Sequence, residues 1–192
     1  MARLFVAIEV PPALAAALLA RVPRVPRVAG IRAAAPHQVH LTLHFLGEQD
    51  DATAACIEQA LGGVCGAAFA LTVKAAGYFR GRRASVLWAG VAPNAALHSL
   101  HARMAQALAG CEGTTLPDAG LQQRAGFHPH ITLARCGPAV ADTALQAWRD
   151  AQAGLVCEPF RVARFILYQS HLRAGGAQHV CRRAYGLDPA PG

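Results

Sequence analysis

The sequence has 192 residues, a length that suits one domain with a substantial core or two small lobes that share a core. Hydrophobic residues make up 54% of it, which excludes an intrinsically disordered protein. The formal charge of +7 favours an anionic partner, first of all nucleic acid, although many Arg-rich proteins are basic without binding one.

The predicted secondary structure mixes short strands and helices along the whole chain. The predicted elements are, in order, a strand at residues 4–10, a helix at 13–22, a basic loop at 21–27 that prolines interrupt, a strand at 38–46, a helix at 52–61, strands at 69–75 and 85–91, a helix at 95–109, a long loop at 110–126, a strand at 127–135, a helix at 143–152, and strands at 162–170 and 179–187. This mixture, with hairpin-like strands, favours the α+β class.

The cysteines and the apolar segments bear on the compartment of the protein. No two cysteines are spaced as CxxC, so the sequence has no zinc-knuckle or redox motif of that kind. The N-terminus lacks the long apolar run and cleavage site of a signal peptide, and no apolar stretch approaches transmembrane length. We therefore expect a cytoplasmic protein with reduced thiols and no membrane association.

The strand at residues 38–46 has the clearest pattern in the sequence. Apolar and polar side chains alternate strictly, which is typical of a half-buried strand. The apolar face holds Val39, Leu41, Leu43 and Phe45, and the polar face holds Gln38, His40, Thr42 and His44.

This strand contains one copy of a short repeat. His40-Leu-Thr-Leu43 matches His130-Ile-Thr-Leu133, ninety positions further on, and a predicted helix follows each copy. Since residues i and i+2 of a strand point the same way, each histidine shares a face with its threonine. A single His-x-Thr is commonly structural, but two copies with the same apolar flanks indicate a shared site.

Two imidazoles and two hydroxyls suit the chemistry of a phosphodiester. One neutral imidazole can take a proton from the attacking water while a protonated one gives a proton to the leaving oxygen. Threonine hydroxyls can donate hydrogen bonds to the non-bridging phosphate oxygens. No carboxylate cluster is present to hold magnesium, so we expect neither a metal nor another cofactor.

These motifs resemble those of the 2H phosphoesterase superfamily, and in particular its LigT-type branch, the RNA 2′,3′-cyclic phosphodiesterases also known as 2′-5′ RNA ligases. The similarity extends to segments outside the repeat and so spans nearly the whole chain. The similar segments read RLFVAI from Arg3, HLTLHFLGE from His40, VLWAG from Val86 and FHPHITLAR from Phe127, with a further strand at residues 165–170.

The resemblance implies one bilobal domain over residues 1–192, in which two pseudo-symmetric lobes of antiparallel sheet with outer helices flank a central groove. It implies that His40 is the proton donor and His130 the proton acceptor, and that Thr42 and Thr132 hold the phosphate. The implied activity is hydrolysis of an RNA terminal 2′,3′-cyclic phosphate to a 2′-phosphate. The implied partners are RNA ends or small 2′,3′-cyclic nucleotides, and we expect a monomer.

The role of Arg135 stays open at this stage. The resemblance favours a contact between Arg135 and the substrate phosphate, whereas strict alternation turns Arg135 away from His130. Two departures from the family pattern concern aromatic residues. Residues 33–35 are alanines where many members have an aromatic residue, and His179 stands where many have a tyrosine.

Several other residues carry weaker expectations. Phe5 is expected in the core, with a place in the groove wall as the alternative. His44 and His128 are candidates for the groove beside the motif histidines, and His98 and His101 are expected to face solvent. The alternatives to hydrolysis are joining of RNA ends through a 2′-5′ bond and a catalytically idle RNA-binding module. The intact pair of histidines argues against the idle module, because binding alone would not need two titratable groups.

Overall fold

The computed structural model describes residues 1–22, 30–111, 126–173 and 176–189, which form an α+β fold. The strands are β1 (Ala2–Glu9), β2 (Ile31–Ala33), β3 (His40–Gln49), β4 (Phe69–Leu71), β5 (Val73–Phe79), β6 (Ser85–Val91), β7 (His130–Cys136), β8 (Phe160–Val162), β9 (Arg164–Arg173) and β10 (Gly176–Gly186). The helices of the described residues are α1 (Pro12–Leu19), α2 (Asp51–Gly62), α3 (Ala95–Leu108) and α4 (Asp142–Asp150), and a 3-10 turn lies at Pro36–Gln38.

The main sheet consists of two antiparallel halves that meet at the two motif strands. Its strand order is β10-β9-β1-β3-β7-β6-β5, and β2 pairs with β7 outside this order. Within the described residues, β3 and β7 pair at a single position, Leu41 opposite Ile131. We call this junction the seam. β4 and β8 form a separate two-stranded sheet. The predicted α+β class and its two antiparallel lobes are confirmed.

The helices pack against one face of the sheet and leave the other face to the motif residues. In α3, Leu97, Leu100, Met104 and Leu108 recur at helical spacing and are at most 1% exposed. Asn94 caps this helix by accepting a hydrogen bond from the Leu97 N–H. Leu41 and Ile131 belong to the same hydrophobic cluster as the buried face of α3, so the core is continuous beneath the seam.

The motif strands β3 and β7 share an irregularity that the alternation did not reveal. Opposite β1, the register passes from Thr42 to His44, and opposite β6 it passes from Thr132 to Ala134. One extra residue, Leu43 or Leu133, therefore forms a β-bulge in each strand. The first seven residues of both strands show the same order of buried and exposed side chains. The bulge reverses the facing of the residues that follow it, in β3 as far as a second irregularity at Leu46.

Two expectations about β3 are consequently wrong. His44 does not share the polar face of His40 but is buried at 6% exposure. Phe45, predicted on the apolar face with Leu41, is 41% exposed and lies on the face of Phe5, its partner in β1. Both errors have the same physical cause, since strict alternation holds only in a ladder without extra residues.

Of the other predicted strands, one is confirmed and one is divided in the structure. The strand predicted at residues 85–91 is confirmed as β6, whereas the one predicted at 69–75 is divided into β4 and β5, which belong to different sheets. Residues 23–27 of the basic loop and 112–125 of the long loop lie outside the described residues. No helix of the described ranges is long and apolar enough to span a membrane.

The expectation that all thiols are reduced is wrong for one pair. Cys56 in α2 and Cys111, which follows α3, form a disulfide with their Cα atoms 5.8 Å apart. The bond fastens together two helices that pack against each other. Spacing along the sequence could not reveal this pair, because the helix packing brings the two residues together.

Candidate functional site

The seam brings the two sequence motifs together on the open face of the sheet. Because Leu41 and Ile131 are directly opposite in an antiparallel pair, His40 lies across from Thr132 and Thr42 lies across from His130. Residues on such a diagonal, here His40 and His130, are about 7–8 Å apart in a regular ladder. Leu41 and Ile131 themselves point into the core. The four motif side chains therefore lie next to one another on one face of the seam.

His40 is held in an aromatic pocket of the first half-sheet. Its ring stacks on Phe5 with the ring centres 4.9 Å apart and meets His179 edge to face at 5.5 Å. Burial lowers the pKa of His40 to about 4, and the neighbouring charge of His179 acts in the same direction. A hydrogen bond to the backbone of Gln38 raises that pKa, and the charge of His130 lowers it further. That last influence places His40 and His130 within electrostatic reach of each other.

His130 occupies the corresponding place in the second half-sheet. Its Nδ1 donates a hydrogen bond of 2.9 Å to the carbonyl oxygen of His128. Because a carbonyl can only accept, the Nδ1 proton stays in place and the neutral ring presents the lone pair of Nε2. Burial lowers the pKa of His130, the bond to His128 raises it, and the charge of the His128 ring lowers it. Each motif histidine is thus oriented by the backbone two residues before it.

The wall of the first half is a set of stacked aromatic rings. Phe5 is 4% exposed and lies between His40 and Tyr168, with the Tyr168 ring centre at 5.2 Å. His179 contacts Phe5 edge to face at 4.9 Å. Phe5 is therefore buried, but it belongs to this wall of the site, which was the alternative to a place in the core. His179, noted as a departure from the family pattern, lies directly beside His40.

The wall of the second half is built around Trp88, which the sequence analysis did not single out. The indole of Trp88 lies over Gly77, where any added Cβ would overlap the ring. Phe79 lies 5.2 Å from Trp88 and meets His130 edge to face at 5.0 Å. His128 is exposed and packs its edge against Trp88 at 5.0 Å. A tryptophan opposite a glycine in an alternating strand was the available signal for this wall.

The bulge at Leu133 decides which way Arg135 faces. Arg135 pairs directly with Val86 of β6, and Val86 shares a face with Trp88 two residues further on. Trp88 contacts His130 with the ring centres 6.3 Å apart. The expectation that alternation turns Arg135 away from His130 is therefore wrong, because Arg135 lies on the open face of the sheet.

The rings of His44, His101 and Phe127 on the other face show why the expectations for His44 and His101 fail, whereas His98 is exposed as predicted. His44 donates from Nε2 to the His101 carbonyl oxygen at 3.0 Å and stacks on the His101 ring at 4.1 Å. His101 stacks in turn on Phe127 at 3.9 Å, so it does not simply face solvent as predicted. Burial lowers the pKa of His44 and lowers that of His101 to about 4. His98 is exposed at the edge of this group.

Two ring nitrogens at the site lack hydrogen-bond partners within the described part of the chain. They are Nε1 of Trp88 in one wall and Nδ1 of His179 in the other. The same part of the chain contains no group of three His, Cys, Asp or Glu side chains that could hold a metal ion. The motif strands bring imidazoles, hydroxyls and the guanidinium of Arg135 to the open face of the sheet.

Residues 10–173 match the family model described as the 2′-5′ RNA ligase superfamily. A curated protein of Archaeoglobus fulgidus, described as an RNA 2′,3′-cyclic phosphodiesterase, is 27% identical over 86% of this chain and 92% of its own length. The structure of E. coli LigT complexed with 3′-AMP superposes with a TM-score of 0.72 at 28% identity, covering 97% of this chain and 98% of LigT. A Thermus thermophilus protein superposes with a TM-score of 0.74 at 28% identity and the same coverage.

Proposed function

The chain belongs to the 2′-5′ RNA ligase superfamily and is a phosphoesterase of the 2H type, and we propose that it hydrolyses the 2′,3′-cyclic phosphate at RNA ends to a 2′-phosphate. The observation that carries the proposal is the seam, where one residue pair aligns two His-x-Thr motifs on the same face. A relative described as an RNA 2′,3′-cyclic phosphodiesterase, matched over most of both chains, supports this choice of substrate.

In the proposed reaction, neutral His130 accepts a proton from water through Nε2 as the water oxygen bonds to phosphorus. Protonated His40 donates a proton to the 3′-oxygen as the bond from phosphorus to that oxygen breaks. The phosphate then remains on the 2′-oxygen. Thr42 and Thr132 donate to the non-bridging oxygens, and Arg135 also contributes to substrate binding from the same face of the sheet.

The electrostatics of the site explain how the histidines can take these unequal states. Burial favours the neutral imidazole in both cases, so a proton is bound weakly in the free protein. A bound phosphodiester carries a negative charge, which raises the pKa of an adjacent imidazole. Substrate binding would therefore promote protonation of His40 while the Nδ1 bond to His128 keeps His130 oriented as an acceptor.

Two other activities are compatible with the same residues. Joining of RNA ends through a 2′-5′ bond is the same chemistry in reverse, with a ribose hydroxyl in place of water. Hydrolysis should prevail because water is abundant. An idle RNA-binding module is the remaining alternative, and turnover separates it from both enzymatic activities.

The decisive experiment incubates the wild-type protein with an RNA that ends in a 2′,3′-cyclic phosphate, in EDTA, and identifies the product by chromatography against 2′- and 3′-phosphate standards. We expect the 2′-phosphate, formed at the same rate with or without EDTA. A 3′-phosphate product would mean that the 2′-oxygen is the leaving group, which would overturn the roles of His40 and His130. Activity that disappears in EDTA and returns with magnesium would refute the metal-free mechanism.

A further inference from the structure

The open face of the second half-sheet carries two arginines directly opposite each other. Arg32 of β2 pairs with Arg135 of β7 in the antiparallel register. Directly opposite residues point to the same face, with Cβ atoms about 4.5–5.5 Å apart. Because Arg135 shares a face with Trp88, Arg32 lies on that face as well. Ile31, which precedes Arg32, packs against the core, as alternation requires.

Such an arrangement is unfavourable in the free protein. Like charges directly opposite in a sheet repel each other. Neither guanidinium forms an ion pair with a carboxylate of the described residues. In the first half-sheet the situation differs, because Arg164 donates two hydrogen bonds to Glu9. The second half therefore carries a local positive charge that an anion would neutralise.

The position of the pair relative to the motif residues suggests which anion it binds. With Leu133 in the bulge, Arg135 is two ladder positions beyond Thr132, about 7 Å along the strand. This separation is comparable to that of successive phosphates along an RNA strand. The cyclic phosphate would lie between His40 and His130, and the next phosphate would reach the arginines.

We propose that Arg32 and Arg135 together bind the phosphate on the 5′-oxygen of the nucleoside that carries the cyclic phosphate. The inference rests on the proposed function and names a further substrate contact for the same site. Two guanidinium forks on one phosphate supply several charge-assisted hydrogen bonds. The pair thereby makes the enzyme prefer RNA ends, which always carry this phosphate, over nucleoside 2′,3′-cyclic phosphates, which lack it.

The test compares two substrates that differ only in this group, a nucleoside 2′,3′-cyclic phosphate with and without a 5′-phosphate. The wild-type ratio of kcat/KM should favour the 5′-phosphorylated substrate by about tenfold or more, as expected for charge-assisted bonds at an exposed site. In R32Q this ratio should fall about tenfold. The plot of log affinity for short RNA against log salt concentration should also become shallower by about 0.7. The matched control is R161Q, an exposed arginine of the separate sheet, which should keep the wild-type ratio.

Binding distinguishes failure of this inference from failure of the proposed function. Calorimetry with a nucleoside 2′-phosphate and its 2′,5′-bisphosphate needs no turnover, and the bisphosphate should bind more tightly in the wild type but not in R32Q. If the protein turns over its substrate but R32Q lowers kcat/KM equally for the substrates with and without the 5′-phosphate, Arg32 does not act through the 5′-phosphate. Arg32 then binds the terminal phosphate, and the inference is wrong. If turnover is absent but the bisphosphate preference depends on Arg32, the arginine pair is supported while the proposed hydrolysis fails.

Discussion

The two halves of the main sheet carry the same His-x-Thr motif with the same bulge, but they surround it differently. In the first half, His40 lies among Phe5, Tyr168 and His179, and the nearby Arg164 is neutralised by Glu9. In the second half, His130 lies beside Trp88 and Phe79, with Arg32 and Arg135 lacking carboxylate partners among the described residues. The repeated motif fixes the position of each imidazole, and its surroundings fix its charge state and its contacts.

The largest expected effect comes from removing either half's imidazole. His40→Ala and His130→Ala should each lower kcat by at least about 10²-fold, the usual scale for a positioned acid or base. His171→Ala is the matched control. Ser170 of β9 lies directly opposite His179 and so faces the site, and His171, the next residue, faces the other side of the same sheet. Turnover should be measured on a 2′,3′-cyclic dinucleotide with folding checked by circular dichroism. Near-normal turnover of either motif variant would place the reaction elsewhere.

Loss of a threonine hydroxyl from either half should lower kcat/KM less than loss of an imidazole. Thr42→Val and Thr132→Val each remove one donor to a phosphate oxygen while leaving proton transfer intact, and valine keeps the β-branched shape that suits a strand. Both variants should retain more kcat/KM than the corresponding histidine variants, and similar losses are expected because the two threonines occupy equivalent positions. Variants as inactive as the histidine variants would indicate a role for the hydroxyls beyond hydrogen bonding.

The pH dependence should reveal the difference between the surroundings. Because one imidazole must be protonated and the other neutral, kcat/KM should be bell-shaped in pH. Its maximum should lie below pH 6.5, because burial lowers the pKa of His40 to about 4 and lowers that of His130 below the usual 6.5. The kcat profile should lie at higher pH, since the bound phosphate favours the protonated imidazole. A kcat/KM maximum above pH 7 would contradict this account.

A pair of variants, one in each half, sharpens this comparison. His179→Phe removes a charge that lowers the pKa of His40, and His128→Phe removes one that lowers the pKa of His130. Both substitutions should therefore move the kcat/KM profile to higher pH. Profiles that coincide with the wild type would show that these neighbours do not tune the site.

The sequence was sufficient to predict the class of fold and the residues that meet at the seam, because period-two burial and a repeated motif are local signals. The sequence was not sufficient to predict which face each residue occupies after the bulges. A strand with one extra residue has the same composition as a regular one, so the facing of His44, Phe45 and Arg135 could be decided only by the partner strands. The walls escaped prediction for a related reason. Trp88 and Tyr168 reach the motif through cross-strand contacts between distant segments, as does the Cys56–Cys111 disulfide between helices.

The central claim is that His40 and His130 act on one phosphate, and imidazole NMR titration with a nucleoside 2′-phosphate tests it most directly. In the free protein both pKa values should lie below 6.5. A saturating ligand should raise both pKa values together, since one anion lies between the two rings. If only one of the two motif histidines responds to the ligand, the pair does not share a phosphate and the two-histidine mechanism is wrong.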